Sequence, residues 1–475
     1  MYGPGASDLR RAAEQLASRL PAPLAPLARL AFNYRWSWTP GGEDLFAAID
    51  SHRWQLCQRN PVRLLQEAAT PSLERAAGDR ELIRRSQQLE REVLSAPAPS
   101  ADGEPSAERP AVFFCAEYGV HPSLPIYAGG LGVLAGDLLK EASDRGFPMV
   151  AVGLLYRKGY FRQRIDTSGW QHEYWVDTDP ERLPAALVTR DGSEPLTVLV
   201  PIGDREVVIQ VWRVDVGRIP LYLLDADRPE NPTIDRWITA QLYVGDREIR
   251  AMQYVMLGLG GVRAIRAMGI EPGMIHLNEG HAALAPLELA AADVAAGRSF
   301  EQALASAKQR TVFTTHTPVS AGNEVYRRDE ITRVCPHLPR LLATDWETLL
   351  GLGRAERANA GESPNLTRLA MRLSRSTNGV SRRHGEIARS MWAHAFPERA
   401  ASAVPIGHVT NGVHLPTWMA SEMRELLDRH LGAGWSERAT DPATWEPLEQ
   451  ISDADLWATR RRLRARLVAD ARERA

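Results

Sequence analysis

Lysine is nearly absent from this sequence. Among 57 basic residues only Lys140, Lys158 and Lys308 are lysine, and the rest are arginine. That balance reflects genomic composition more than function, but it leaves few places for chemistry that needs an ammonium group. Cysteine is equally sparse: Cys57, Cys115 and Cys335 are scattered, with no paired spacing. This excludes a disulfide frame or a zinc ribbon and suits a reducing compartment. There is no basic surplus, since 59 acidic residues oppose the 57 basic ones, which excludes a reader of nucleic-acid backbones. No apolar run approaches the ~20 residues needed to cross a bilayer. The N-terminus lacks the basic start, apolar middle and small-residue cleavage site of a secretory leader. The expectation is a soluble, cytoplasmic protein that binds neither nucleic acid nor membrane.

What is present is ordinary globular material, 475 residues with 44% apolar content, long enough for two or three cores. Residues 1–95 read as helical and carry the aromatic cluster Phe32, Tyr34, Trp36 and Trp38. Such large rings are expected in a core or between domains rather than as a sugar platform. Asn60 followed by Pro61 marks a helix start, the first as cap and the second where its missing amide costs nothing. Residues 96–110, rich in Pro, Ala, Ser and acidic side chains, read as a linker. Beyond it, strand-like runs alternate with helical stretches through about residue 445, predicting an α/β fold with an open, mainly parallel sheet. Within that stretch LTVLV, EVVIQVW and IPLYLLD, at about 190–225, predict an inserted β-meander. Residues 446–475 read as an Arg-rich helical connector. No internal repeat is evident.

The segment from Ala111 to Tyr160 is the most informative. A short apolar strand, a glycine-rich turn, a helix and a second strand follow one another, with Leu131, Leu134, Leu138 and Ala142 at helical spacing. The turn Gly129, Gly130, Leu131, Gly132 stands where the helix begins. Its glycines Gly129, Gly130 and Gly132 can take backbone angles closed to other residues and leave no side chain to block a ligand. The unpartnered first amides of the helix would stabilise phosphate or a polarised sugar oxygen.

In open parallel sheets ligands lie outside the carboxyl ends of the strands. The residues that follow each predicted strand are therefore Glu117, then Asn278, Glu279 and His281, then Thr315 and His316, then Thr410 and Asn411. Short polar chains and neutral imidazoles suit the hydroxyls of a hexose. His276, Glu279 and His281 lack the one-face spacing of HExxH ligands, so no metal is expected.

AEYG at 116–119, SLPIYAGGLGVLAGD at 123–137, GLLYRKGYFRQRID at 153–166, GWQ at 169–171, LLDAD at 223–227, HLNEGHAA at 276–283, TTHTPV at 314–319 and TNGVH at 410–414 together resemble the bacterial α-glucan (glycogen or maltodextrin) phosphorylases. RLAFNYRWSWTPGGEDLFAAID with NPVRLL resembles the helical region of the shorter branch of that family, so the resemblance runs from residue 24 to about 430. It implies an N-terminal helical domain followed by the first Rossmann-like lobe of the two-lobed GT-B glycosyltransferase fold. The implied reaction moves a glucosyl unit from an α-1,4-glucan or maltodextrin to inorganic phosphate, giving α-glucose 1-phosphate with retention. His316 and Asn411 would hold the glucosyl 6-hydroxyl, with His316 near the reacting centre. Gly129, Gly130, Leu131 and Gly132 would face phosphate, and Glu117, Asn278, Glu279 and His281 would line the cleft.

The resemblance also implies pyridoxal 5'-phosphate, whose Schiff-base lysine the family keeps in a GMK-type motif that none of the three lysines here has around it. The expectation is the N-terminal half of a phosphorylase, inactive without a complementing C-terminal half. Two other readings stand beside it. A starch or glycogen synthase shares the glycine turn, but Tyr127 and Val133 stand where KTGGLGD would put lysine and aspartate. A noncatalytic glucan-binding module would bind maltodextrin without turnover.

Overall fold

The computed structural model describes residues 3–94, 105–319, 322–396, 399–432 and 434–474. The N-terminal part is helical, with α1 (Ala6–Ala17), α2 (Ala25–Ala31) and α3 (Arg80–Leu94) among its elements. Leu9, Ala13 and Leu16 of α1 face inward at helical spacing. Trp36 is fully buried, its ring edge-on to Phe46 at 5.1 Å and to Trp54 at 5.9 Å. These rings are core material, as large apolar area requires. The side chain of Asn60 accepts the Arg63 amide at 3.1 Å, which caps the helix Pro61–Glu67. Of the linker at 96–110, residues 96–104 lie outside the described residues.

The centre is a ten-stranded sheet. Its strands are β1 (Ala111–Phe114), β2 (Met149–Leu154), β3 (Ala186–Leu187), β4 (Thr197–Ile202), β5 (Arg205–Val216), β6 (Ile219–Asp225), β7 (Met274–Asn278), β8 (Thr311–Thr315), β9 (Ser376–Gly379) and β10 (Ile406–His408). The order across the sheet is β10-β9-β8-β7-β1-β2-β6-β5-β3, with β4 also paired to β5. From β10 to β6 every pairing is parallel; β5 then runs antiparallel to β6, β4 and β3. The all-apolar β1 and β2 are buried along their whole length, as strands covered on both faces must be.

The meander expected near 190–225 forms as β4, β5 and β6, and it is part of the main sheet. Leu221 of β6 pairs with Ala151 of β2 in parallel register. IPLYLLD is buried at every position, so both its faces need cover that a separate hairpin layer would not provide. Two other helices matter below: α4 (Gly130–Arg145), which crosses from β1 to β2, and α5 (Phe300–Gln309), which precedes β8. Tyr34 meets Ser123 at 2.9 Å, and the Asn33 amide donates to the Gly217 carbonyl at 2.8 Å. The N-terminal helices thus share one continuous apolar core with the sheet. Among the described residues no helix is long and apolar enough to cross a membrane.

This order has one consequence for ligands. From β1 the chain builds outward through β2 on one side and later through β7, β8, β9 and β10 on the other. β1 is therefore the switch point, and the crevice of such a sheet opens beyond the carboxyl ends of β1 and its neighbours.

Candidate functional site at the carboxyl ends of the strands

Glu117 leaves β1 toward this edge. Its Oε2 accepts the amides of Ala128 at 2.7 Å and Gly129 at 3.3 Å, and its Oε1 accepts the Tyr243 hydroxyl at 2.5 Å. The carboxylate thus fixes the glycine turn from behind. Gly132 touches it too: a Cβ there would stand 2.7 Å from Glu117 Oε2 and 2.6 Å from Tyr127 Cβ. Around Gly129 and Gly130 there is open space instead, with nothing within 4 Å of an added Cβ. Of the two things glycine offers at this turn, the missing side chain is used and the unusual backbone angles are not. None of Gly129, Gly130 and Gly132 has a positive φ, so glycine serves here through its missing side chain alone.

From β7 come Asn278 and Glu279. The Asn278 amide donates to Cys115 Sγ at 3.1 Å, which turns its oxygen toward His316 Nε2, 2.6 Å away. His316 therefore carries its proton on Nε2 and its lone pair on Nδ1, an acceptor with no protein partner among the described residues. Burial pushes the His316 imidazole down to about 4, against the opposing pull of Glu279; it is neutral at pH 7. His276 is likewise pushed down to about 4, by burial and by His316. It meets Thr314 Oγ1 at 2.8 Å, and that hydroxyl is 3.0 Å from Asn378 Oδ1.

Glu279 is strained, with φ 68, as is Tyr243 with φ 54. Its carboxylate accepts the Gly280 amide at 3.2 Å, the His316 amide at 2.8 Å, and both the amide and hydroxyl of Thr317 at 3.0 and 3.1 Å. Strain of this kind persists only where surroundings over-determine it, and here four donors do so. Glu279 braces the turns after β7 and β8 together, and its oxygens are spent on protein donors rather than turned to a cleft. His281 lies behind, stacked on Tyr254 at 5.1 Å and 6.2 Å from the Tyr243 ring. Its Nδ1 is buried without a partner, as are Thr315 Oγ1 and His384 Nε2.

Asn411 stands apart from the side-chain network. It is exposed, and its amide donates to the Val380 carbonyl at 3.0 Å. The loop that carries it is tied to α4 by Asp137, whose Oδ2 accepts the His414 amide at 3.1 Å and the Trp418 indole at 2.7 Å. The side-chain network therefore joins Glu117, Gly129, Asn278, Glu279, His281 and His316, while Asn411 reaches the same edge through main chain only.

Residues that the sequence reading did not collect are Tyr243, Asn378 and His384. Asn378 was within reach of the strand-end rule. It belongs to Thr377–Val380, TNGV, the same tetrapeptide as 410–413. His384 accepts the Val380 amide through Nδ1 at 3.1 Å. Tyr243 has no local signal, because a loop distant in sequence brings it to Glu117. No group of three potential metal ligands occurs among the described residues.

The neutral histidines set the acid response. His276, His316, His337 and His414 are each pushed to about 4, with burial the largest cause in every case. Between pH 4 and 6.5 the unfolded chain binds more protons than the folded one at these sites, so stability falls as pH drops through that window. Thermal unfolding followed by circular dichroism should show Tm lower by at least about 5 °C at pH 4.5 than at pH 6.5.

Fold and site together define an α/β protein whose polar residues gather beyond a switch-point strand, beside an open glycine turn. Residues 20–124 match a family described as "Protein of unknown function (DUF3417)". Over 448 residues the chain is 38% identical to the maltodextrin phosphorylase of Thermococcus litoralis, covering 93% of this chain and 53% of that protein. It is 40% identical over 491 residues to the glycogen phosphorylase of Mycobacterium tuberculosis, covering 96% and 55%. The glycogen phosphorylase of Aquifex aeolicus is 34% identical, with 94% and 64% covered. Nearly the whole chain is thus similar to glycogen and maltodextrin phosphorylases, and it spans about half the length of the first two of these relatives.

Proposed function

We propose that the chain forms the sugar-binding side of an α-1,4-glucan phosphorylase, the first lobe of a GT-B pair. The whole enzyme would transfer a glucosyl unit from glycogen or maltodextrin to inorganic phosphate, releasing α-glucose 1-phosphate. The observation that carries this reading is the linked set His316, Asn278, Glu279, Glu117 and Gly129 at the carboxyl edge of the switch-point strands.

His316 would accept a glucosyl hydroxyl at Nδ1, held by Asn278 and Glu279 so that binding energy orients the reacting bond. Its neutrality matters, because a charged imidazole would repel the positive charge that grows at the anomeric carbon. Asn411 would meet the same hexose from the loop after β10. The amides of Gly130 and Leu131 at the start of α4, free of side-chain obstruction, would face an anion whose negative charge opposes that growing charge.

The family implies pyridoxal 5'-phosphate, and the lysines of this chain do not fit as its anchor. Lys140 is buried, its Nζ donating to Thr417 Oγ1 at 3.2 Å. Ten residues along α4 put it roughly 15 Å from the glycine turn. The Lys158 ammonium lies 4.8 Å from the Trp237 ring, and Lys308 is in α5, which leads into the opposite end of β8. The cofactor would be held by residues outside this chain.

The test combines the chain with a complementing second half from a relative, and measures glucose 1-phosphate release from maltoheptaose and phosphate. Turnover should appear only with both halves, and His316→Ala should lower kcat by about 10²-fold or more. Turnover with ADP-glucose in place of phosphate would favour the synthase reading. Maltoheptaose binding that no second half converts into turnover would favour a noncatalytic glucan-binding module.

A further inference from the structure

A second hollow lies at the opposite edge of the sheet. Its volume is about 520 Å³, and its lining includes Lys308, Arg357, Arg372, Arg375 and Arg399, within the size range of small-ligand sites. The topology assembles it. Because β8, β9 and β10 are parallel, their amino ends lie together. Lys308 lies in the last turn of the helix before β8, Arg375 immediately precedes β9, and Arg399 precedes β10. The five-residue β8, roughly 17 Å long, separates this edge from the one bearing His316.

Five cations converge here in a chain whose formal net charge is −2, so the hollow is not a sample of a generally basic surface. No carboxylate lines it among the described residues. Arg372 is fixed in place, its guanidinium donating to the carbonyls of Gly351 at 2.9 Å, Leu352 at 3.0 Å and Ala355 at 2.9 Å. Lys308 and Arg357 are exposed and meet no carboxylate among the described residues. Like charges gathered around a concavity raise its potential and so draw an anion toward it. Guanidinium forks suit phosphate oxygens in particular. The three exposed cations Lys308, Arg357 and Arg375 favour a group of three or four negative charges over a single phosphate. Phe396 and Met371 supply an apolar patch beside them.

We propose that this hollow is a binding site for a diphosphate group, inorganic or at the end of a nucleoside diphosphate, separate from the candidate site at the carboxyl edge. Calorimetry on the chain as described, with inorganic pyrophosphate, ADP and inorganic phosphate as probes, tests it. Pyrophosphate should bind at least tenfold more tightly than phosphate and more weakly as salt rises. ADP tighter than pyrophosphate would identify the nucleoside form; equal or weaker binding would identify the inorganic one. The double variant Arg357→Ala/Arg375→Ala, which removes only exposed side chains, should weaken pyrophosphate at least tenfold. The charge reversal Lys308→Glu should act in the same direction. His316→Ala should leave pyrophosphate affinity unchanged, so loss of the carbohydrate reading and loss of this one are separable. The proposal is overturned if pyrophosphate fails to bind at 1 mM, or if it binds the double variant as tightly as the unaltered chain.

Discussion

Gly136→Ala will unfold the protein at markedly lower urea, with a loss of about 3 kcal/mol or more, while Gly130→Ala leaves the unfolding curve almost in place. Both glycines lie on α4, six residues apart. A Cβ on Gly136 runs into the carbonyl group of Gly119, and Val120 N is 3.0 Å away. These neighbours are main chain in the turn after β1, which is held by the Gly119 amide donating to the Gly132 carbonyl at 2.7 Å. Neither partner can swing aside as a flexible side chain would. Gly130 has nothing within 4 Å of the same added atom, and alanine is the better helix former by roughly 1 kcal/mol. Its cost should appear in function. In the enzyme assembled with a second half, Gly130→Ala is expected to reduce phosphorolysis at least tenfold at unchanged stability. Equal stability losses in the two variants would mean that the open space at the turn has been misread.

Glu279→Ala is expected to cost about 3–4 kcal/mol, since four donors lose a charged acceptor in a mostly buried place. The loss also frees a non-glycine residue held at φ 68, so part of the strain is relieved and the cost falls short of four separate bonds. Glu279→Gln keeps the shape and one acceptor oxygen, and should recover about half of the loss. Chemical denaturation gives the energies. Proton-exchange measurements on the amides of His316 and Thr317 give the location: both should exchange faster in Glu279→Ala, whereas the amides of β2 should change only with global stability. Unchanged exchange at His316 would show that the turn after β8 is held by something other than this carboxylate.

Much of the fold was legible because the relevant signals are local. The apolar runs of β1, β2 and β6, the helical spacing after Gly130 and the Asn60–Pro61 cap all depend on neighbours within a turn or a strand. The rule that polar residues follow strands also collected Glu117, Asn278, Glu279 and His316, which lie at one edge, since it needs only strand ends and a parallel sheet. It was applied incompletely, and so passed over Asn378 at the end of β9. The meander was read as an insertion because antiparallel spacing is visible in sequence, whereas the pairing of β6 with β2 joins residues some seventy positions apart.

The side-chain directions were beyond sequence. Glu279 was expected to line the cleft and is instead a brace, since only the approach of the turn after β8 gives its carboxylate four donors. Tyr243 entered the site from a loop with no motif of its own. The five cations of the second hollow are spread over Lys308 to Arg399, a span in which arginine is too common to stand out.

By itself, then, the order of residues determined which segments become strands and helices, and which chemical groups are delivered to strand ends. Those choices follow from backbone propensity and apolar periodicity, which act over a few residues. Tertiary structure alone decided which delivered groups face a ligand and which are consumed in holding one another. That depends on hydrogen-bond and charge partners brought together from distant parts of the chain, where burial turns a difference of an ångström into kilocalories.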